Sequence, residues 1–256
     1  MRYALALGGL WLALIVVFVG LYQLFSSGSA PGSESRASAL VPLLFLVFVA
    51  LLTVFILRAR RGANVNNEGI ALLSQGRLTE ALSRFEAARP ALRRNPLIYM
   101  NLGVTRLALW QLEEAERELE AARKKRLVTN LSQLVVPQLA LTKALQGQAA
   151  SAHKWLEESK SLKNDASAAA LLASAVLSCR AGDWTRARAT LERQELDALG
   201  GSQRGLREAL RAWTVEQTSG ELRHVDAVSL FGETGPERLR AAWPEFVAFI
   251  DRAPPA

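Results

Sequence analysis

The chain has 256 residues, of which 50% are hydrophobic and 21% charged, with a formal net charge of +7 and a single cysteine, Cys179. One cysteine excludes an intrachain disulfide and suits a reducing compartment. A positive net charge is compatible with nucleic acid or anionic lipid nearby, and because the apolar residues are concentrated near the N-terminus, proximity to a membrane is the simpler explanation.

Two long uncharged stretches lie near the N-terminus, at residues 3–25 and 39–57. As helices they would be roughly 34 and 28 Å long, enough for each to cross a bilayer core. A helix at the surface of a soluble domain has a polar face, and neither stretch has one. The sequence therefore predicts two transmembrane helices, joined as a hairpin by a Ser/Gly-rich connector.

Arginines flank the two predicted spans unevenly. Arg2 precedes the first span, Arg58, Arg60 and Arg61 follow the second, and the connector contains Arg36 alone. By the positive-inside rule both ends face the cytoplasm, which predicts a multi-pass protein of the cytoplasmic (inner) membrane whose remaining chain faces the cytoplasm. Two alternatives stay open: the first span is a signal peptide cleaved near residues 28–30, or the topology is inverted and the remaining chain is periplasmic.

A repeat of 34 residues follows the predicted spans. Residues 69–88 and 103–122 have eight identical residues in twenty aligned positions without a gap. Leu, Ala, Glu and Arg dominate these segments, and period-two alternation is missing, which favours paired amphipathic helices. Repeats of this length are typical of solenoids built from one helical hairpin per repeat.

The two segments resemble tetratricopeptide repeats. That family's motif combines a small residue in the first helix, a glycine at the turn, and alternating large and small residues in the second helix. The matching residues are Gly69, Gly76, Leu78, Ala81, Phe85 and Ala88 in the first copy, and Gly103, Trp110, Leu112, Ala115, Leu119 and Ala122 in the second. Small residues let the helices approach closely while large ones fill the gaps. Because Trp110 replaces the turn glycine, we expect a different backbone conformation at that turn.

Two fainter copies follow, with turn glycines at Gly147 and Gly182. The resulting prediction is an all-α fold in three parts: a transmembrane hairpin over residues 1–61, a solenoid of about four tetratricopeptide-like repeats over 62–199, and C-terminal capping helices over 200–256. The Ala/Arg/Leu-rich composition favours a bacterial source.

The sequence contains no recognisable catalytic motif. It lacks a Walker-type phosphate loop and an HExxH pair, and its only histidines are His153 and His224. Cys179 lies at a first-helix position, where a small buried apolar role is favoured over a nucleophilic one. We expect no enzymatic activity, no cofactor and no metal. The basic run at residues 123–126 lacks interleaved aromatics, so nucleic acid is not the expected partner, and a solvated helix end is favoured.

The resemblance implies that first helices line a concave groove that receives a peptide or helix of a partner. Transferred onto this chain, the groove residues are Asn66, Asn67, Ile70, Met100, Asn101, Val104, Leu107, Gln138 and Leu141. Leu134 and Gln138 fill positions where family members hold a carboxylate with cations, so recognition of an acidic C-terminus is not implied. The expected function is a membrane-anchored adaptor that recruits a protein partner.

Two other interpretations remain open at this stage. Some of the groove aliphatics contact the terminal helices and never meet a partner. Alternatively, the protein is a structural subunit of a membrane complex in which the N-terminal hairpin is the main interaction element, with Gly8, Gly9 and Gly20 allowing close helix contact.

Overall fold

The computed structural model describes residues 23, 36–125, 129–221, 225 and 237–252. The chain divides into two compact units, Met1–Arg60 and Arg61–Ala256. The predicted boundary between the solenoid and the C-terminal helices, at residues 199–200, falls inside the second unit.

The described residues form helices and connections, without a strand, which confirms the all-α prediction. In chain order the helices are α1 Arg36–Ser74, α2 Leu78–Ala88, α3 Pro96–Ala108, α4 Leu112–Lys124, α5 Thr129–Leu145, α6 Ala149–Ser161, α7 Ala168–Arg180, α8 Trp184–Leu191, α9 Gly201–Ser219, α10 Glu237–Arg240 and α11 Pro244–Ile250. A short 3-10 helix, Gln194–Ala198, connects α8 to α9.

The prediction of transmembrane helices, and with it the multi-pass inner-membrane location, is wrong for the part of the chain that the structure describes. Within these residues no helix combines enough length with enough hydrophobicity to cross a membrane. The first predicted span lies outside the described residues except for Gln23. The second predicted span lies within α1.

Arg58, Arg60 and Arg61, which were predicted to flank the membrane, are exposed residues inside α1. The helix continues through them without interruption to Ser74.

Four helix pairs of the second unit turn in the same way. The turn residues Gly76, Trp110, Gly147 and Gly182 have φ of 76°, 59°, 75° and 73°. At each turn the next residue's N–H bonds the carbonyl five residues earlier, as in Arg77 N to Leu72 O at 3.0 Å and Gln111 N to Arg106 O at 2.9 Å. This is the Schellman arrangement, in which a left-handed residue satisfies the last carbonyls of a helix.

The expectation of a different backbone conformation at Trp110 is therefore wrong. Trp110 adopts the left-handed conformation of its glycine counterparts although a side chain there costs about 1–2 kcal/mol. Its indole is only 3% exposed. We infer that burial of this large side chain offsets the backbone cost.

Close approach of the paired helices explains the glycines in the first helices. A Cβ atom on Gly69 would lie 2.6 Å from Cε1 of Phe85, and one on Gly103 would lie 2.6 Å from Cγ of Leu119. Phe85 and Leu119 are fully buried. The predicted packing of small against large residues is thus confirmed for the first two hairpins.

Replacing Gly69 with alanine should lower the free energy of unfolding by about 1–3 kcal/mol, because the added methyl group overpacks the Phe85 ring. Alanine would otherwise favour the helix by about 1 kcal/mol, so a loss of stability isolates the steric effect. Urea denaturation followed by circular dichroism measures the change. In a Phe85→Leu background, Gly69→Ala should lower the free energy of unfolding by less. An equal loss in both backgrounds would contradict the contact between residue 69 and the Phe85 ring.

Candidate partner-binding face

The predicted groove residues lie on three neighbouring first helices, α1, α3 and α5. Asn101 Nδ2 donates a hydrogen bond of 3.0 Å to Asn66 Oδ1, which joins α3 to α1. Helix α3 also contacts α5. The structure therefore brings these residues onto one continuous face, which we call the first-helix face.

Burial divides the predicted residues into two groups. Leu107, Leu141 and Asn101 are buried, at 3%, 0% and 8% exposure. Asn67 is exposed and Ile70 is 45% exposed, while the remaining members Asn66, Met100, Val104 and Gln138 are half-buried. Leu107 and Leu141 belong to the hydrophobic core, so they support the face from beneath.

The chain's own helix α9 lies on part of this face. Gln203 Nε2 donates to Gln138 Oε1 at 2.9 Å, and α9 contacts α3, α7 and α8. This placement favours the interpretation that some groove aliphatics contact the terminal helices. The half of the face built by α1, α3 and the beginning of α5 carries the more exposed residues.

Exposed large hydrophobic side chains mark that open half. Among the described residues of the second unit, those of this kind are Ile70, Leu97 and Leu134, at 45%, 44% and 57% exposure. They lie one each on α1, α3 and α5. Leu97 and Leu134 occupy equivalent places, six residues before Gly103 and Ala140. We call these three residues the apolar strip.

The groove prediction missed Leu97. The available signal was its repeat position, since Leu97 aligns with Leu134 and precedes Val104 by seven residues, two turns along one face of α3.

A polar network that sequence reasoning also missed links successive repeats at the turns. Arg106 bonds Gln111 Oε1 at 3.0 Å and Glu86 Oε1 at 2.7 Å. In the next repeat Lys143 takes the same role, with Nζ 2.8 Å from Gln148 Oε1 and an ion pair to Glu116. A cation near the end of α3 and another near the end of α5 thus hold the turn glutamine of their own repeat and a glutamate of the preceding second helix.

A cleft of about 650 Å³ lies beside this network, between the turns that follow α3 and α5 and the C-terminal residues 238–242. Arg238 Nη1 donates to Leu109 O at 3.2 Å and fixes one wall. Gln146 bonds Glu116 Oε2 at 3.0 Å through its amide nitrogen. Arg106, Arg238 and Glu116 on its walls each bond a group outside their own helix pair, so we interpret the cleft as a structural junction.

Cys179 is 2% exposed, and burial raises the pKa of its thiol to about 12. At pH 8 only about one thiol in ten thousand would be ionised, and the thiolate is the reactive form. Native protein should therefore resist alkylation by iodoacetamide, whereas protein unfolded in urea should react fully. Mass spectrometry of both samples measures this, and rapid native labelling would contradict the burial.

The described part of the chain holds no group of three or more His, Cys, Asp or Glu side chains placed to bind a metal. His153 is exposed, and His224 lies outside the described residues. Comparison with models of known protein families, with curated proteins and with solved structures yields no match.

Proposed function

We propose that this protein is an adaptor that binds a protein partner on the open half of the first-helix face. The observation that supports it is the apolar strip, three exposed large hydrophobics spread one per helix over adjoining repeats. Large apolar side chains exposed on one face of a domain are candidates for a protein interaction site. Asn67, exposed one turn before Ile70 on α1, supplies an amide beside the strip.

The proposal includes membership of these hairpins in the tetratricopeptide class. Its support is the 34-residue repeat, the four Schellman turns, and the glycine contacts inside the first two hairpins. Solenoids of such hairpins host many functions, so the partner must be inferred from the surface and not from the fold.

The test uses the full chain and a triple variant, Ile70→Ser, Leu97→Ser and Leu134→Ser. Because these side chains are exposed, the variant should keep wild-type helicity and stability. A partner captured by the wild-type protein is identified, purified, and titrated against both proteins. We expect the triple variant to bind at least tenfold more weakly, since each leucine buried on binding contributes about 1–2 kcal/mol. Unchanged affinity in the folded variant would rule out this face.

A second candidate places the partner on the apolar segment of the first unit. From Leu44 to Leu57, eight large hydrophobics are exposed, among them Leu51 at 66% and Phe55 at 69%. The variant Leu51→Ser, Phe55→Ser in the same titration distinguishes the two candidates. Loss of binding in this variant alone would favour the apolar segment as the interaction element.

A further inference from the structure

We propose that the segment bound on the first-helix face carries apolar side chains followed by carboxylates, the apolar part covering the apolar strip and the acidic part reaching Arg93, Arg94 and Lys125. This inference rests on the proposed function and specifies the chemistry of the partner. We call these three cations the basic end.

The basic end adjoins the apolar strip at the start of α3. Arg93 and Arg94 are exposed in the connection before α3, and Leu97 lies in the first turn of that helix. The hydroxyl of Tyr99 donates to the carbonyl of Arg93 at 2.9 Å, which fixes this connection to the helix.

Lys125 reaches the same place from the end of α4. Its Nζ lies 4.4 Å from the centre of the Tyr99 ring. The Arg93 carbonyl and the Lys125 ammonium thus both contact Tyr99, two residues after Leu97. The N-terminus of α3 adds the partial positive charge of its helix dipole.

Arg93, Arg94 and Lys125 differ from the neighbouring Arg89 in their ion pairing. Arg89 also faces the Tyr99 ring, at 5.3 Å, but it pairs with Glu118 at 3.0 Å. In the described ranges, neither Arg93, Arg94 nor Lys125 has a carboxylate within ion-pair distance. Positive charge therefore accumulates here without a carboxylate from the chain's own helices.

Apolar and charged groups would act differently on a bound segment. Burial of Ile70, Leu97 and Leu134 supplies affinity, whereas the basic end orients the segment and raises its association rate. Basic or neutral segments of equal hydrophobicity would lose the electrostatic contribution. Because exposed ion pairs are screened by salt, the preference should weaken as salt concentration rises.

The test selects peptides from a random twelve-residue library displayed on phage against the immobilised full chain. We expect enriched sequences in which two or more large apolar residues are followed by aspartate or glutamate. One enriched peptide is then synthesised with a fluorescent label and titrated by anisotropy. The double reversal Arg93→Glu, Arg94→Glu should weaken its binding about tenfold, because two exposed ion pairs are lost and like charges are brought together.

A matched control makes the same change in net charge elsewhere. Lys160→Glu and Arg186→Glu alter exposed cations on the second helices α6 and α8, and this variant should bind the peptide as the wild type does. A peptide that loses affinity equally in both reversals responds to net charge alone, which would overturn the inference.

The triple serine variant of the apolar strip separates this inference from the proposed function. If enriched peptides need the strip but carry no acidic residues, or ignore the Arg93 and Arg94 reversal, the proposed function stands and the inference fails. If no peptide is enriched, or none depends on the strip, both fail. Expected results on all variants support both.

Discussion

Replacing Arg180 with methionine should lower the free energy of unfolding by about 3 kcal/mol and release the C-terminal residues 237–252 from the solenoid. Arg180 Nη2 donates to Leu145 O at 2.6 Å and to Ala242 O at 2.8 Å, which ties the end of α5 to the C-terminal segment. Its guanidinium also stacks 4.3 Å from the centre of the Trp243 ring. Methionine keeps much of the volume but loses the donors and the charge.

The environment of Arg180 explains why the loss should be large. The side chain is half-buried, and burial lowers the pKa of its guanidinium while the nearby Glu245 carboxylate partly offsets the effect. Hydrogen bonds made by a partly desolvated charge are stronger than those at an open surface. Trp243 also belongs to an aromatic cluster, in which the ring centre of Trp213 lies 5.0 Å from that of Trp184 and 5.6 Å from that of Trp243.

Urea denaturation gives the total loss, and hydrogen exchange shows where it occurs. Relative to the wild type, the Arg180→Met protein should exchange faster over residues 237–252, with a smaller change over α3 and α4. Arg186→Met is the control, because Arg186 is exposed and its side chain has no hydrogen-bond partner in the described structure, and it should change stability by less than about 0.5 kcal/mol. An Arg180→Met protein as stable as this control would refute the anchoring role.

Replacing Asn164 with leucine should lower the free energy of unfolding by about 2 kcal/mol. Helix α5 contains Pro137, which has no N–H to bond the carbonyl of Gln133 four residues earlier. Asn164 Nδ2 donates to that carbonyl at 2.5 Å, from the connection between α6 and α7. Gln133 Nε2 returns a bond to Leu162 O at 3.0 Å. Leucine would leave a partly buried carbonyl without its donor.

A double variant tests this explanation directly. Pro137→Ala restores the backbone N–H, so the Gln133 carbonyl regains a helical partner. In that background Asn164→Leu should cost about 1 kcal/mol less than in the wild type, because the carbonyl is no longer orphaned. Urea denaturation of the four proteins gives the coupling. Equal costs in both backgrounds would show that Asn164 stabilises the connection by some other contact.

The first-helix face shows where sequence-based prediction stops. Ile70 and Leu141 occupy equivalent repeat positions, yet Ile70 is 45% exposed and Leu141 fully buried. Repeat alignment assigns both to the groove because it reads only the position within a hairpin. The approach of α9, recorded by the bond between Gln203 and Gln138, brings together segments 65 residues apart in the chain.

The predicted membrane spans show a related limit. Uncharged residues in a row predicted two spans, but within the part of the chain that the structure describes no helix is long and apolar enough to cross a membrane. Hydropathy reports composition along the chain, whereas a span requires a sufficient length of apolar helix.

The sequence by itself determined the helical hairpins of this protein, their turns, and the contacts of Gly69 with Phe85 and Gly103 with Leu119. These features depend on residues at most a few turns apart, and their spacing is visible in the 34-residue repeat. Only the tertiary structure decided that Trp110 can take a glycine's conformation and that Ile70, Leu97 and Leu134 stay at the surface. Burial is set by packing between distant segments, and no local pattern encodes which segments those are.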